Sequence, residues 1–131
     1  MRILLIEDNE LNRDMLTRRL ERKGYSVISA GDGLSGIEKA GSEKPELILL
    51  DLLMPVMDGF EFLKIIKAND IWGNIPIIVI TSKDLTADDY SFLTSNVDKV
   101  IKKGEYTRKE IITRIDTAIK ESNLKMYMKG N

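Results

Sequence analysis

The sequence predicts a single α/β domain built on a doubly wound, five-stranded parallel sheet with five helices. Three observations predict it. Short aliphatic runs of strand length alternate with stretches whose apolar residues recur at helical spacing. Three of the strand runs, residues 3–6, 47–50 and 77–80, are almost purely aliphatic, as strands buried on both faces should be. The 131 residues, 43% apolar and 31% charged, suit one hydrophobic core, and no repeat, low-complexity stretch or long linker divides them. Right-handed crossovers between parallel strands then leave the doubly wound sheet as the simplest solution.

The elements follow in order. Residues 3–6 form the first strand. Leu11, Met15, Leu16 and Leu20 mark the first helix, and Gly24 stands where it should end. Residues 25–29 read as the second strand, around Val27. Leu34, Ile37 and Ala40 mark a short second helix, expected to stop at Gly41 and Pro45. Residues 47–50 are the third strand, and Phe60, Leu63 and Ile66 mark the third helix. Pro76 introduces the fourth strand, 77–80. Thr86 with Asp89 has the spacing of a reciprocal helix cap, opening a fourth helix that runs to about Leu93. Residues 97–101 are the fifth strand. Ile111, Ile115, Ala118 and Ile119 mark the last helix. The domain is assigned to residues 1–122, with 123–131 a C-terminal tail, frayed or in short helix.

Composition removes whole classes of chemistry. Lys and Arg number 20 against 21 Asp and Glu, so the formal net charge is −1 and no global field favours nucleic acid or an anionic membrane. Arg13, Arg18, Arg19, Arg22 and Lys23 read as a solvated face of the first helix. There is no cysteine and no histidine. Disulfides, thiolate catalysis, Ser-His-Asp triads and histidine metal sites are therefore excluded, and any phosphohistidine must belong to another protein. No apolar run approaches the ~20 residues of a bilayer span. Met1-Arg2-Ile3 enters a strand directly, without a signal peptide. A soluble, cytoplasmic protein is expected.

In sheets of this kind ligands bind beyond the carboxyl ends of the strands. Glu7 and Asp8 stand after the first strand and Asp51 after the third. Thr81 and Ser82 follow the fourth, and Lys102 and Lys103 the fifth. Crowded carboxylates resist being ionised together unless a cation joins them. Oxygen ligands without nitrogen or sulfur favour a hard ion such as Mg2+. A carboxylate can also attack phosphorus and form an aspartyl phosphate. Such a transfer needs charge neutralised on the phosphoryl oxygens, which a cation, an ammonium and a hydroxyl can supply.

Glu7-Asp8, then Asp51-Leu52-Leu53-Met54-Pro55-Val56-Met57-Asp58-Gly59, then Thr81-Ser82 and Lys103, resembles the receiver domain of two-component response regulators. The likeness covers roughly residues 2–119. It implies a flavodoxin-like sheet of order 2-1-3-4-5. It implies Asp51 as phosphoacceptor from a histidine kinase or histidine phosphotransfer protein. Asp8, Asp51 and the backbone carbonyl of Leu53 would bind Mg2+, with Glu7 acting through a water. Lys103 would pair with the phosphoryl group, and Thr81 would hydrogen-bond it and draw its loop inward. Leu53 and Lys83 would flank the group and tune its hydrolysis. Met54-Pro55 and Asp58-Gly59 would shape the turn after the third strand. The output would be a protein target met through the fourth helix, fifth strand and last helix. Such a receiver catalyses only its own phosphorylation and dephosphorylation, and is not otherwise an enzyme.

The sequence departs from that pattern in places. Val100 stands where the family usually carries an aromatic that swings with the threonine, and Gly104 where a proline usually follows the lysine. The stretch from Thr81 to Thr86, with Lys103-Gly104, is similar to receivers of hybrid sensor kinases, either free-standing or cut from a longer chain; no DNA-binding output domain is expected.

Four other readings compete. Asp8 alone could cap the first helix. Gly31-Asp32-Gly33-Leu34-Ser35-Gly36 spells a dinucleotide fingerprint, but Asp32 would repel a pyrophosphate, so these glycines are assigned to a tight turn and close helix packing. An aspartyl-phosphate phosphatase would need a second acid two residues after Asp51, where Leu53 stands. A degenerate scaffold is opposed by the complete acid set.

Overall fold

The computed structural model describes residues 1–54 and 57–130, with side chains described as far as Ser122. The turn expectation for Pro55 lies outside the described residues. Five strands alternate with five helices: β1 (Arg2–Ile6), α1 (Glu10–Arg22), β2 (Ser26–Ala30), α2 (Gly33–Glu43), β3 (Leu47–Leu50), α3 (Gly59–Ala68), β4 (Ile77–Thr81), α4 (Ala87–Asn96), β5 (Lys99–Lys102) and α5 (Arg108–Gly130). Short 3₁₀ turns at Trp72–Asn74 and Lys103–Glu105 complete the connections. All strand pairs are parallel and their order is β2-β1-β3-β4-β5.

The alternation of side chains along a strand builds two cores. Leu4, Ile6, Ile48, Leu50, Ile77 and Val79 face one layer, where they meet Phe62, Leu63 and Ile66 of α3, Ala40 of α2 and Leu93 of α4. Ile3, Leu5, Leu47, Leu49, Ile78 and Ile80 face the other, against Leu16 and Leu20 of α1 and Ile112, Ile115 and Ile119 of α5. Strands clothed on both faces carry no polar alternation, which is why β1, β3 and β4 are so uniformly aliphatic.

Several boundaries and faces differ from the sequence reading. α2 does not stop at Gly41; it runs to Glu43 and ends on Lys44 in the left-handed conformation, with φ of 50°. Gly41 instead makes room for Trp72, whose ring would lie 3.1 Å from a Cβ there. Leu11 and Leu34 have helical spacing but are 80% and 57% exposed, because each lies at a helix start beyond the edge of the sheet. α4 extends past Leu93 to Asn96, and Val97, read as strand, is its C-terminal cap. The boundary drawn after residue 122 falls within α5.

The helix starts follow local chemistry. Thr86 and Asp89 form the reciprocal cap of α4, each side chain accepting from the other's backbone N–H. Asp58 and Asp32 cap α3 and α2. Gly33 and Gly36 serve close packing: a Cβ on Gly36 would stand 2.6 Å from Ile6 Cδ1, and one on Gly33 2.9 Å from Met57.

Candidate phosphoacceptor and metal site

β1 and β3 are neighbours in register, with Ile6 opposite Leu50. The residues that follow each strand therefore emerge side by side at its carboxyl end. This brings Glu7 and Asp8 to Asp51, although more than 40 residues separate them in sequence. One carboxylate oxygen of each of the three lies within 4.8 Å of the others. β4 and β5 extend the same edge, with Thr81 opposite Lys102. Thr81 and Lys102 are the last residues of their strands rather than the first beyond them, and Lys103 opens the 3₁₀ turn.

Burial is graded across the cluster. Glu7 is 2% exposed and Asp51 7%, whereas Asp8 faces solvent. Lys103 Nζ stands 3.5 Å from Glu7 Oε1 and 3.5 Å from Asp51 Oδ2. Both distances exceed that of a tight charged hydrogen bond, so the ammonium bridges the two acids without closing on either. Asp51 Oδ1 accepts from the backbone N–H of Leu53 at 3.0 Å. Burial pushes the Glu7 carboxyl up to about 8, helped by its hydrogen bond and charge contact with Asp51; Lys103 and Asn12 oppose the rise. Like-charged carboxylates in a poorly solvated corner cannot all stay ionised without added positive charge.

Asp8 does not cap the first helix. Asn9 does, its side chain accepting from Asn12 N at 2.9 Å. Asp8 is therefore left free to face the cluster. Thr81 is fully buried, and its Oγ1 accepts from the backbone N–H of Lys83 at 3.0 Å. Lys83 and Leu53 line an open cleft of about 280 Å3 together with Leu52, Met54, Asp58 and Phe60. Val100 is half-buried and packs against the α2–α3–α4 core. Gly104 has no positive φ; among the described glycines only Gly24, at 97°, has one.

Two supporting residues escaped the sequence reading. Arg13 Nη1 donates to the Glu7 carbonyl at 2.9 Å, and the Asn12 side chain favours the ionised Glu7 carboxylate against the pull of burial. Both lie in the first turn of α1, where a basic residue reads as solvated surface. Their only signal is position, three and four residues past Asn9, on the face that overhangs the end of β1.

A family model for the response regulator receiver domain matches residues 3–116. Among curated relatives, the alkaline phosphatase synthesis transcriptional regulatory protein PhoP of Bacillus subtilis is 33% identical over 94% of this chain and 50% of its own length. Response regulator MprA of Mycobacterium leprae is 30% identical over 93% and 52%. The chain thus spans about half the length of the curated relatives it matches. Among solved structures, the N-terminal domain of a response regulator receiver protein from Methanoculleus marisnigri JR1 is 31% identical, covers 92% of this chain and 94% of its own, and superposes with a TM-score of 0.74. The receiver domain of a putative Luxo repressor protein from Vibrio parahaemolyticus, 24% identical over 99% and 98%, shares the fold at a TM-score of 0.80. With the family model covering most of its length, this chain belongs to the response regulator receiver domains of two-component systems.

Proposed function

We propose that this receiver accepts a phosphoryl group on Asp51 from a phosphohistidine of a partner kinase or phosphotransfer protein, in a Mg2+-dependent reaction, and thereby controls a protein partner. The observation that carries the reading is the convergence of Glu7, Asp8 and Asp51 within 4.8 Å, with Lys103 3.5 Å from two of them. The donor set suits the ion: three carboxylates, in a chain without histidine or cysteine, are hard oxygen ligands. Asp8 and Asp51 would hold Mg2+ with the Leu53 carbonyl, and Glu7 would hold it through a water. When bound, the ion supplies positive charge that lets the acids ionise together and screens the phosphoryl oxygens.

This chain's residues then have distinct tasks. The Leu53 N–H fixes the rotation of the Asp51 carboxylate by holding Oδ1. An Asp51 oxygen attacks the phosphorus; the O–P bond forms as the P–N bond of the donor breaks, and the electron pair leaves with the partner's imidazole. Lys103 neutralises charge on the phosphoryl oxygens. Thr81 exchanges its bond from Lys83 N–H for a role as donor to a phosphoryl oxygen, which draws residues 82–86 toward the site. The chain turns over no external substrate; Leu53, 46% exposed, offers no acid where a phosphatase would need one.

The output face is assigned to α4, β5 and α5, where Lys102 Nζ sits 5.1 Å from the centre of the Tyr90 ring and Tyr90, Thr94, Lys99 and Val100 border a shallow groove. Among the described residues no helix is long and apolar enough to cross a membrane, and a cytoplasmic setting fits the partner chemistry.

The test is intact-protein mass after incubation with Mg2+ and acetyl phosphate or phosphoramidate. One added phosphoryl group, absent with Asp51→Asn and after chelation, is expected. No addition under conditions that load a known receiver would overturn the reading.

A further inference from the structure

We propose that Phe60 is a positioning residue for Lys83, and that this pair carries the state of Asp51 to α4. The inference rests on the phosphoacceptor reading above. Lys83 Nζ lies 5.8 Å from the centre of the Phe60 ring, within reach of a cation–π contact. The backbone of Lys83 is fastened to Thr81 Oγ1 at 3.0 Å, so the loop that bears this ammonium is anchored at the end of β4. Among the described residues, Lys83 has no carboxylate partner in an ion pair. Phe60 lies in the first turn of α3, and its ring meets that of Phe92 in α4 with centroids 5.9 Å apart at 47°. Phe60 and Lys83 both line the cleft beside Leu52 and Leu53, next in sequence to Asp51. One ring therefore touches both a cation at the edge of the site and a side chain of the helix behind it.

The physical argument is a competition for one ammonium. With Asp51 unmodified, Lys103 already bridges the two buried acids, and the Phe60 face holds Lys83 at the mouth of the cleft. A phosphoryl group brings about two negative charges and strong acceptor oxygens. These outcompete the ring face, so Lys83 leaves Phe60 for the phosphoryl oxygens and covers the approach of water. Phe60, released from its cation, resettles against Phe92, and the α3–α4 contact changes with it. Val100, paired with Val79 of β4 and half-buried against the same core, has no ring and cannot provide this link. The aromatic readout of this chain is thus placed at the α3–α4 seam.

The full chain is loaded with acetyl phosphate and Mg2+, loading is read by mass, and phosphoryl decay is followed after the donor is removed. Phe60→Leu is expected to lengthen the phosphoryl lifetime about two- to five-fold, the change an exposed cation–π contact can supply. Phe60→Tyr, which keeps a ring, should restore the original lifetime. In a Lys83→Met background Phe60→Leu should change nothing. An effect of Phe60→Leu that persists without Lys83, or no effect in its presence, overturns the proposal. Should Phe60→Leu fold poorly, the carbon-13 resonances of the Phe92 ring decide instead. They should shift on loading in the parent chain and stay still in Lys83→Met; equal shifts in both overturn the relay. A parent chain that gains no mass overturns the phosphoacceptor reading itself, a separate result read before any lifetime.

Discussion

The Lys103 ammonium lies 3.5 Å from the Asp51 carboxylate, at the edge where the chain leaves β3 and β5. The same ammonium is equally far from Glu7, so one cation offsets two buried acids. Lys103→Met keeps most of the aliphatic stem and removes the charge. Phosphoryl loading from a small donor should slow about a hundredfold, the loss typical of deleting one preorganised group at developing charge. Mass gain against time measures it, and a rate within threefold of the parent would remove Lys103 from the mechanism.

Part of this site is legible in the sequence. Each acid follows an aliphatic strand, and parallel strands place their carboxyl ends together, so Glu7, Asp8, Asp51, Thr81 and Lys103 could be gathered on one edge from sequence. Helix caps were legible where they use a local code, as in Thr86 with Asp89. What escaped depends on contacts between distant elements. Gly41 reads as a stop because glycine ends helices, yet here it yields space to Trp72, over 30 residues on. Leu11 and Leu34 fit the helical spacing yet lie exposed, because periodicity cannot tell whether a helix's first turn still overlies the sheet. Arg13 was invisible as a support because its partner is a backbone carbonyl, which has no signature in sequence.

The acidic cluster should respond to the metal in the absence of any phosphodonor. Ligand that binds only the folded state adds about 2.7 kcal/mol at a hundredfold excess over its dissociation constant. For a domain of this size that is roughly 8–12 °C in Tm. Thermal melts with Mg2+ and with chelator should show this gap in the parent chain. Asp8→Asn, at an exposed position, should fold normally and lose most of it. An undiminished gap in Asp8→Asn would move the ion elsewhere.

Alkaline and acid limits of stability should trace to a clasp between the start of β2 and α5. The Tyr25 hydroxyl donates to Asp116 Oδ1 at 2.7 Å, and Lys120 Nζ stands 3.1 Å from Asp116 Oδ2. Burial, then the Asp116 contact, pushes the Tyr25 hydroxyl up to about 12 from 10.0. A raised value means the folded state holds the proton more tightly. The contribution is therefore complete below pH 10 and lost as pH rises toward 12. Asp116 runs the other way: burial raises its carboxyl, but Tyr25, Lys120 and Lys23 outweigh burial and hold it below the usual range. Its contribution is present above the unfolded value and fades as pH falls through the folded one. Tyr25→Phe should cost about 1 kcal/mol at neutral pH and flatten the melting temperature between pH 10 and 12. An equally steep alkaline decline in Tyr25→Phe would assign that limb to other groups.

Two glycines next to functional residues should answer substitution in opposite ways. Gly59 opens α3 one residue after its cap Asp58, with ordinary negative φ, so its backbone conformation alone would admit any residue. Space forbids it: an added Cβ would stand 2.7 Å from the Leu52 Cα and 3.1 Å from the Asp51 carbonyl oxygen. These are main-chain atoms of the segment that aims Asp51, so they cannot swing aside as a side-chain tip would. Alanine is the better helix former by up to about 1 kcal/mol, and least so at a helix's first position. Overpacking costs about 1–3 kcal/mol and should win. Gly59→Ala should lower the melting temperature and slow loading of Asp51, since relief of the clash displaces the residue that carries it. Gly104, beside Lys103, has nothing within 4 Å of a Cβ and no positive φ. Gly104→Ala should leave both melting temperature and loading rate as they are. A tolerated Gly59→Ala would mean that the turn after β3 yields readily, and that the position of Asp51 depends less on this packing than on its bond from Leu53.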